Sequence, residues 1–215
     1  MRVDPRRRIK DIASSSEDAE RVLESCGVDF CCRGDASLAE ACDRAGVSAH
    51  EVERKLRELP ENPPHAWEDA AELVDYVIHT CHPRTREAIA TARATARDHA
   101  LREALEELAS ITSAHMKKEE ALFRHVRALA NARAGRGPFP EPPFTTARAH
   151  GRSLHEGHAQ IHDKLRRARA IAAHAESRDG GELRRAMDAL SRAIVAQLHL
   201  VNNELLPRAS ALEPE

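Results

Sequence analysis

The residues of this chain best equipped for chemistry are imidazoles and carboxylates set at helical steps. His115-Met-Lys-Lys-Glu119 places an imidazole and a carboxylate four residues apart, and His158-Ala-Gln-Ile-His162 places two imidazoles at the same interval. On a helix that step returns to within about 40° of the same face, so each pair can converge on one point between helices. Two further segments, Tyr76-Val-Ile-His79-Thr-Cys-His82-Pro83 and Gln197-Leu-His199-Leu-Val-Asn-Asn-Glu204, add candidates before and after. Any one of these also describes a solvated polar face. Their occurrence together, in four separate helical segments of a chain with thirteen histidines, points to a transition-metal centre.

Seven ligands follow: His82, His115, Glu119, His158, His162, His199 and Glu204. His155 is rotated away and reads as an outer contact or a solvent group. If both carboxylates bridge two metals of about six coordination, then five imidazoles, four carboxylate bonds and an oxo or hydroxo bridge fill about eleven of twelve positions. The vacancy suits dioxygen, nitric oxide or peroxide. Two octahedral metals with mixed nitrogen and oxygen ligands favour iron over zinc. A carboxylate-rich di-iron bundle would need Glu-x-x-His elements, and no histidine here has Glu three residues before it. A zinc-protease helix would need Glu after its first histidine, where Ala159 stands.

The elements that must hold these residues are helical. Aromatics are only 3% of the chain, and apolar residues recur at three- and four-residue spacing, which predicts an all-α fold. Short helices are expected at 17–26, 37–45 and 48–59, the first two ended by Gly27 and Gly46, the third begun by a capping box at Ser48-Ala-His-Glu51. Pro60-Glu-Asn-Pro-Pro64 then marks a boundary between a small N-terminal helical domain, 1–60, and an antiparallel four-helix bundle, 65–215. Long helices are expected at 67–96, 98–133, 145–178 and 182–206, with Pro83 bending the first. Non-helical connections fall at 135–143 and 179–181.

Composition narrows the function. Thirty-three basic and 35 acidic side chains nearly cancel, leaving a net charge of -2 and no field to recruit nucleic acid or an anionic membrane. No apolar run reaches the length of a membrane span, and the basic N-terminus lacks the apolar stretch of a signal peptide. Five cysteines, an odd number, suit a reducing compartment, so the expected location is cytoplasmic.

Gly27-Val-Asp-Phe-Cys31-Cys32-Arg-Gly34, followed by Ser37-Leu-Ala-Glu-Ala-Cys42, resembles the N-terminal domain of the RIC (repair of iron centres) proteins, which join it to a hemerythrin-like bundle. Asp75 to Glu87, His115-Met-Lys-Lys-Glu-Glu120 with Leu122-Phe123, and His199-Leu-Val-Asn-Asn-Glu-Leu-Leu-Pro-Arg208 resemble the signatures of that bundle. The resemblance implies a di-iron protein that helps restore iron–sulfur clusters after nitrosative or oxidative damage. It implies ligand roles for His82, His115, Glu119 and His158. The fourth helix departs from it: the family's His and Glu positions hold Gln197 and Val201, while the five-residue step from His199 to Glu204 is similar to the His-x4-Asp of true hemerythrins. His162 likewise matches a hemerythrin histidine.

Two readings of function stand side by side. One is a RIC-type stress protein that exchanges iron with damaged iron–sulfur proteins. The other is a hemerythrin-like carrier or sensor of dioxygen or nitric oxide. Whether the chain turns over a substrate is open, as is monomer or homodimer. Cys31-Cys32 also has two readings, a redox or iron-transfer pair and a pair of small core residues.

Overall fold

The computed structural model describes residues 3–60, 67, 69–141, 147–175 and 181–213. The described residues are helical with no strands, and their one sheet-like pairing is an isolated antiparallel bridge between Arg8 and Ser37. The expectation of an all-α chain holds. Two compact units divide at Trp67 and Glu68.

The N-terminal unit contains α1 (Ile9–Ala13), α2 (Glu17–Ser25), α3 (Leu38–Ala45) and α4 (Ala49–Arg57). The sequence reading did not anticipate α1, which is a single turn. Each short helix hides one apolar stripe, and Ile9, Ile12, Leu23, Phe30, Leu38, Val52 and Leu56 form the core of the unit. Gly27 and Gly46 lie at φ +71° and +69° after α2 and α3, which lets Val28 N–H reach Leu23 O and Val47 N–H reach Cys42 O. The reciprocal capping box forms at Ser37 and Glu40; at Ser48 the serine oxygen accepts from Glu51 N–H.

The second unit contains α5 (Ala70–Tyr76), a π-turn (Val77–Cys81), α6 (His82–Thr95), α7 (His99–Arg133), α8 (Ala147–Ala175), α9 (Glu182–His199), a second π-turn (Leu200–Leu205) and α10 (Leu206–Leu212). These make four rods, and paired side chains show their directions. Between the first rod and α7, Asp75 meets Arg127, His82 meets Glu119 and Arg93 meets Glu106. Between α7 and α8, Glu119 meets His158, and Glu107 meets Lys164 and Arg167. Between α8 and the last rod, His158 meets Asn202 and Arg169 meets Ser191. In each set one number rises as the other falls, so neighbouring rods are antiparallel, as short connections require.

The first and last rods are not regular α-helices throughout. Pro83 has no N–H for the carbonyl of His79, and its ring would clash with that carbonyl in a regular helix. The π-turn before it absorbs the misfit: His82 N–H bonds to Val77 O, five residues back. The last rod repeats this, with Leu206 N–H bonded to Val201 O immediately before Pro207. The expected third helix runs beyond the described residues at both ends. Residues 142–143 of one expected connection and 179–180 of the other also lie outside them.

Candidate metal centre

The α7 helix crosses the middle of the bundle and presents Thr112, His115, Met116, Glu119, Leu122 and Phe123 as buried residues. Half of those six residues are apolar, and Glu119 among them is a fully buried carboxylate that must be matched by donors or by a cation. Four side chains from the three other rods and from α7 surround it. On one side, Nε2 of His158 lies 2.9 Å from Oε1 of Glu119 and Nε2 of His115 lies 3.8 Å from it. On the other side, Nε2 of His82 lies 2.9 Å from Oε2, and the Gln197 amide donates to Oε2 at 3.1 Å.

The outer contacts orient these groups. Nδ1 of His158 lies 2.6 Å from Oδ1 of Asn202, which can only accept, so Nδ1 donates there; a metal would bind at Nε2, in place of the hydrogen bond that Nε2 makes to Glu119 here. The Thr85 hydroxyl donates to Gln197 Oε1 at 2.9 Å, which turns the amide nitrogen toward Glu119. The His82 ring stacks on Phe123 with centroids 6.2 Å apart. Gly157 makes room for the centre: a β-carbon there would stand 2.4 Å from Nδ1 of His115.

Burial alone would push the Glu119 carboxyl up, but the bonds from His158 and His82 and the neighbouring imidazoles hold it down to about 2. Burial lowers His115 to about 4, against the pull of Glu119, so its ring is neutral near pH 7. A neutral imidazole beside an ionised carboxylate is the protonation state a metal requires.

Nε2 of His115 and Nδ1 of His82 are buried without a hydrogen-bond partner. Such an unmade bond costs about 1–3 kcal/mol, and a cation between His115, Glu119 and His158 would satisfy the first. Those three residues offer ligand atoms within 4.8 Å of one another. The donor set therefore fits a metal of mixed nitrogen and oxygen preference.

Of the seven candidates, His82, His115, Glu119 and His158 gather here. The other three do not form part of that close cluster. His199 is buried, and its Nδ1 accepts from Asn203 Nδ2 at 3.0 Å. Glu204 pairs with Arg208 at 3.3 Å, and His162 is half-buried on α8. The sequence reading placed Gln197 at the family's histidine position without giving it a role, and it missed Thr85, Asn202 and Gly157. A glycine inside a strongly helical run was the available signal for the last; the others become visible only when helices face each other.

In the N-terminal unit, Asp29 Oδ1 accepts from the N–H groups of Cys31 and Cys32 at 3.2 and 3.0 Å. This turn brings the two sulfurs to 3.5 Å. Cys31 is buried and Cys32 partly exposed. The Cys32 contact, together with burial, pushes the Cys31 thiol well above its ordinary range.

Comparison with known proteins matches both units of the chain to known domains. Residues 73–209 match the Hemerythrin HHE cation binding domain, and residues 5–60 match a domain of unknown function, DUF542. A "Probable iron-sulfur cluster repair protein" of Haemophilus influenzae is 27% identical over 142 residues, 58% of this chain and 64% of that protein. An "Iron-sulfur cluster repair protein YtfE" of Citrobacter koseri is 32% identical over 128 residues, 53% of this chain and 58% of that protein. The protein of the same name from Shigella boydii is equally similar. The chain thus spans roughly three-fifths of the length of these curated relatives. The resemblance to RIC proteins holds at the level of domain order and relatives. With residues 73–209 matched, well over half of the chain, and a histidine–glutamate cluster at the centre of the bundle, this chain belongs to the hemerythrin HHE cation-binding family.

Proposed function

We propose that this chain is a cytoplasmic non-haem di-iron protein of the iron–sulfur cluster repair type, acting under nitrosative or oxidative stress. The observation that carries the reading is the ionised, fully buried Glu119 held between imidazoles on both of its oxygens. The similarity to proteins named for cluster repair supplies the biological direction.

The ligands we assign are His82, His115, Glu119 and His158, which would hold two iron ions of the oxo- or hydroxo-bridged kind. His162, His199 and Glu204 are the remaining candidates. Bound iron would supply a redox-active centre able to take up dioxygen, nitric oxide or peroxide. The protein's own part is to hold Glu119 ionised, to keep His115 neutral, and to fix the His158 ring through Asn202. The apolar surroundings, Phe123 and Met116 among them, keep bulk water away from the centre. The partners proposed are iron–sulfur proteins with damaged clusters, and a reducing compartment would keep the five thiols free.

The test begins with anaerobic loading by Fe(II), counting iron per chain. The loaded protein is then mixed with a nitric oxide-damaged iron–sulfur enzyme whose activity is followed. Recovery that needs the loaded chain and fails with Glu119→Ala supports the reading. A stable, reversible dioxygen adduct with no recovery would favour the carrier instead.

A further inference from the structure

The two oxygens of Glu119 face unequal surroundings. Oε1 looks toward two imidazoles, His158 at 2.9 Å and His115 at 3.8 Å. Oε2 looks toward one imidazole, His82 at 2.9 Å, and one amide, Gln197 at 3.1 Å. Gln197 is 3% exposed, so its polar atoms have only protein to pair with. An ionised carboxylate can only accept, so the amide must turn its nitrogen toward Glu119. The Thr85 hydroxyl, also buried, occupies the amide oxygen at 2.9 Å and holds it in that sense. An amide nitrogen has no lone pair to give a metal, and an amide oxygen is a poorer partner for iron than imidazole.

We propose that the two metal positions of this centre are inequivalent: the His115–His158 side of Glu119 retains its iron, and the His82–Gln197 side holds an exchangeable one. The proposal rests on the di-iron reading above and specifies which iron is available for delivery. Gln197 is a selectivity residue here. It gives Glu119 Oε2 a hydrogen bond to fall back on when the iron beside His82 departs as a solvated Fe(II) ion, so the emptied position leaves no orphaned charge. On the opposite side Nε2 of His115 has no hydrogen-bond partner, and loss of that iron strands a buried donor or acceptor. The asymmetry lies in the atoms that face the carboxylate: Nε2 of His82 and the Gln197 amide both bond to Oε2, whereas only His158 bonds to Oε1 and Nε2 of His115 is without a partner. Nδ1 of His82, also without a hydrogen bond, lies 3.6 Å from Glu120 and does not face Glu119 Oε2.

The full chain is loaded anaerobically with two equivalents of Fe(II), and iron removal by a chromogenic ferrous chelator is followed, with Mössbauer spectra before and after the first phase. The expected result is biphasic release, one iron per chain leaving roughly tenfold or more faster than the other. The spectrum of the remaining iron should be that of a single site. Gln197→His should slow the fast phase toward the slow one by supplying an imidazole. Gln197→Glu, which keeps the side-chain volume, should do the same by supplying a carboxylate, and it covers the case in which the histidine variant does not fold. Single-phase release of two irons from the wild-type chain overturns the proposal and leaves the di-iron reading standing. An unchanged fast phase in both folded variants also overturns it. A chain that never takes up more than one iron overturns the di-iron reading itself.

Discussion

Gly157 and His115 share a space that admits one of them only as glycine: a β-carbon at 157 would lie 2.4 Å from Nδ1 and 2.6 Å from Cε1 of the imidazole. Glycine in the middle of a helix costs about 1 kcal/mol relative to alanine. A helix as long as α8 tolerates that cost here because the missing side chain lets α7 bring a ligand ring against it.

Gly157→Ala should therefore separate folding from metal binding. The alanine gains helix propensity, while the His115 ring must leave its place beside Glu119. Iron bound per chain is expected to fall by half or more, with helical circular dichroism retained. Full iron loading in the variant would show that the ring has another productive position.

Asn202→Leu removes the acceptor that sets the His158 ring, 2.6 Å from its Nδ1. Loss of such an outer contact typically lowers metal affinity by about 10–100-fold. Competition with a chelator of known affinity measures this, and an unchanged affinity would mean that packing alone orients His158.

The metal-free chain should lose stability with acid in two windows. His115 has a folded value of about 4 against an ordinary 6.5, and Glu119 about 2 against 4.5. Both folded values lie below the unfolded ones, so the unfolded chain takes up each proton first as pH falls. The His115 contribution is whole above about pH 6.5 and is lost on the way down to about 4. The Glu119 contribution is whole above about 4.5 and is lost toward 2. Urea midpoints between pH 7 and pH 4 should fall, and His115→Phe should flatten that decline; an equally steep decline in the variant would assign it to other groups.

Cys31 and Cys32 should react unequally although their sulfurs are 3.5 Å apart. Burial and the raised thiol suppress the thiolate at Cys31, whereas Cys32 is partly exposed. Alkylation at pH 8, read by peptide mass spectrometry, is expected to label Cys32 roughly tenfold faster or more. Equal labelling would mean that the turn built on Asp29 opens readily in solution.

Sequence alone determined the helical character, the main breaks and half of the centre, and the reason is local. Gly27 and Gly46 adopt a backbone conformation that other residues resist, and the 3.6-residue period of α7 puts His115 and Glu119 on one buried face whatever surrounds it. The last rod was not decided in that way. Periodicity tells which residues share a face but not which face meets Glu119, and the π-turn at Leu200–Leu205 shifts the register just where His199 and Glu204 were counted. Packing α9 against α6 is what brings Gln197 onto the carboxylate and Thr85 onto Gln197. Likewise, the clearance at Gly157 exists only because α7 and α8 approach closely. The inequality between the two sides of Glu119 is thus a property of tertiary packing: it depends on how helices far apart in sequence are rotated, which the period of any single helix leaves free.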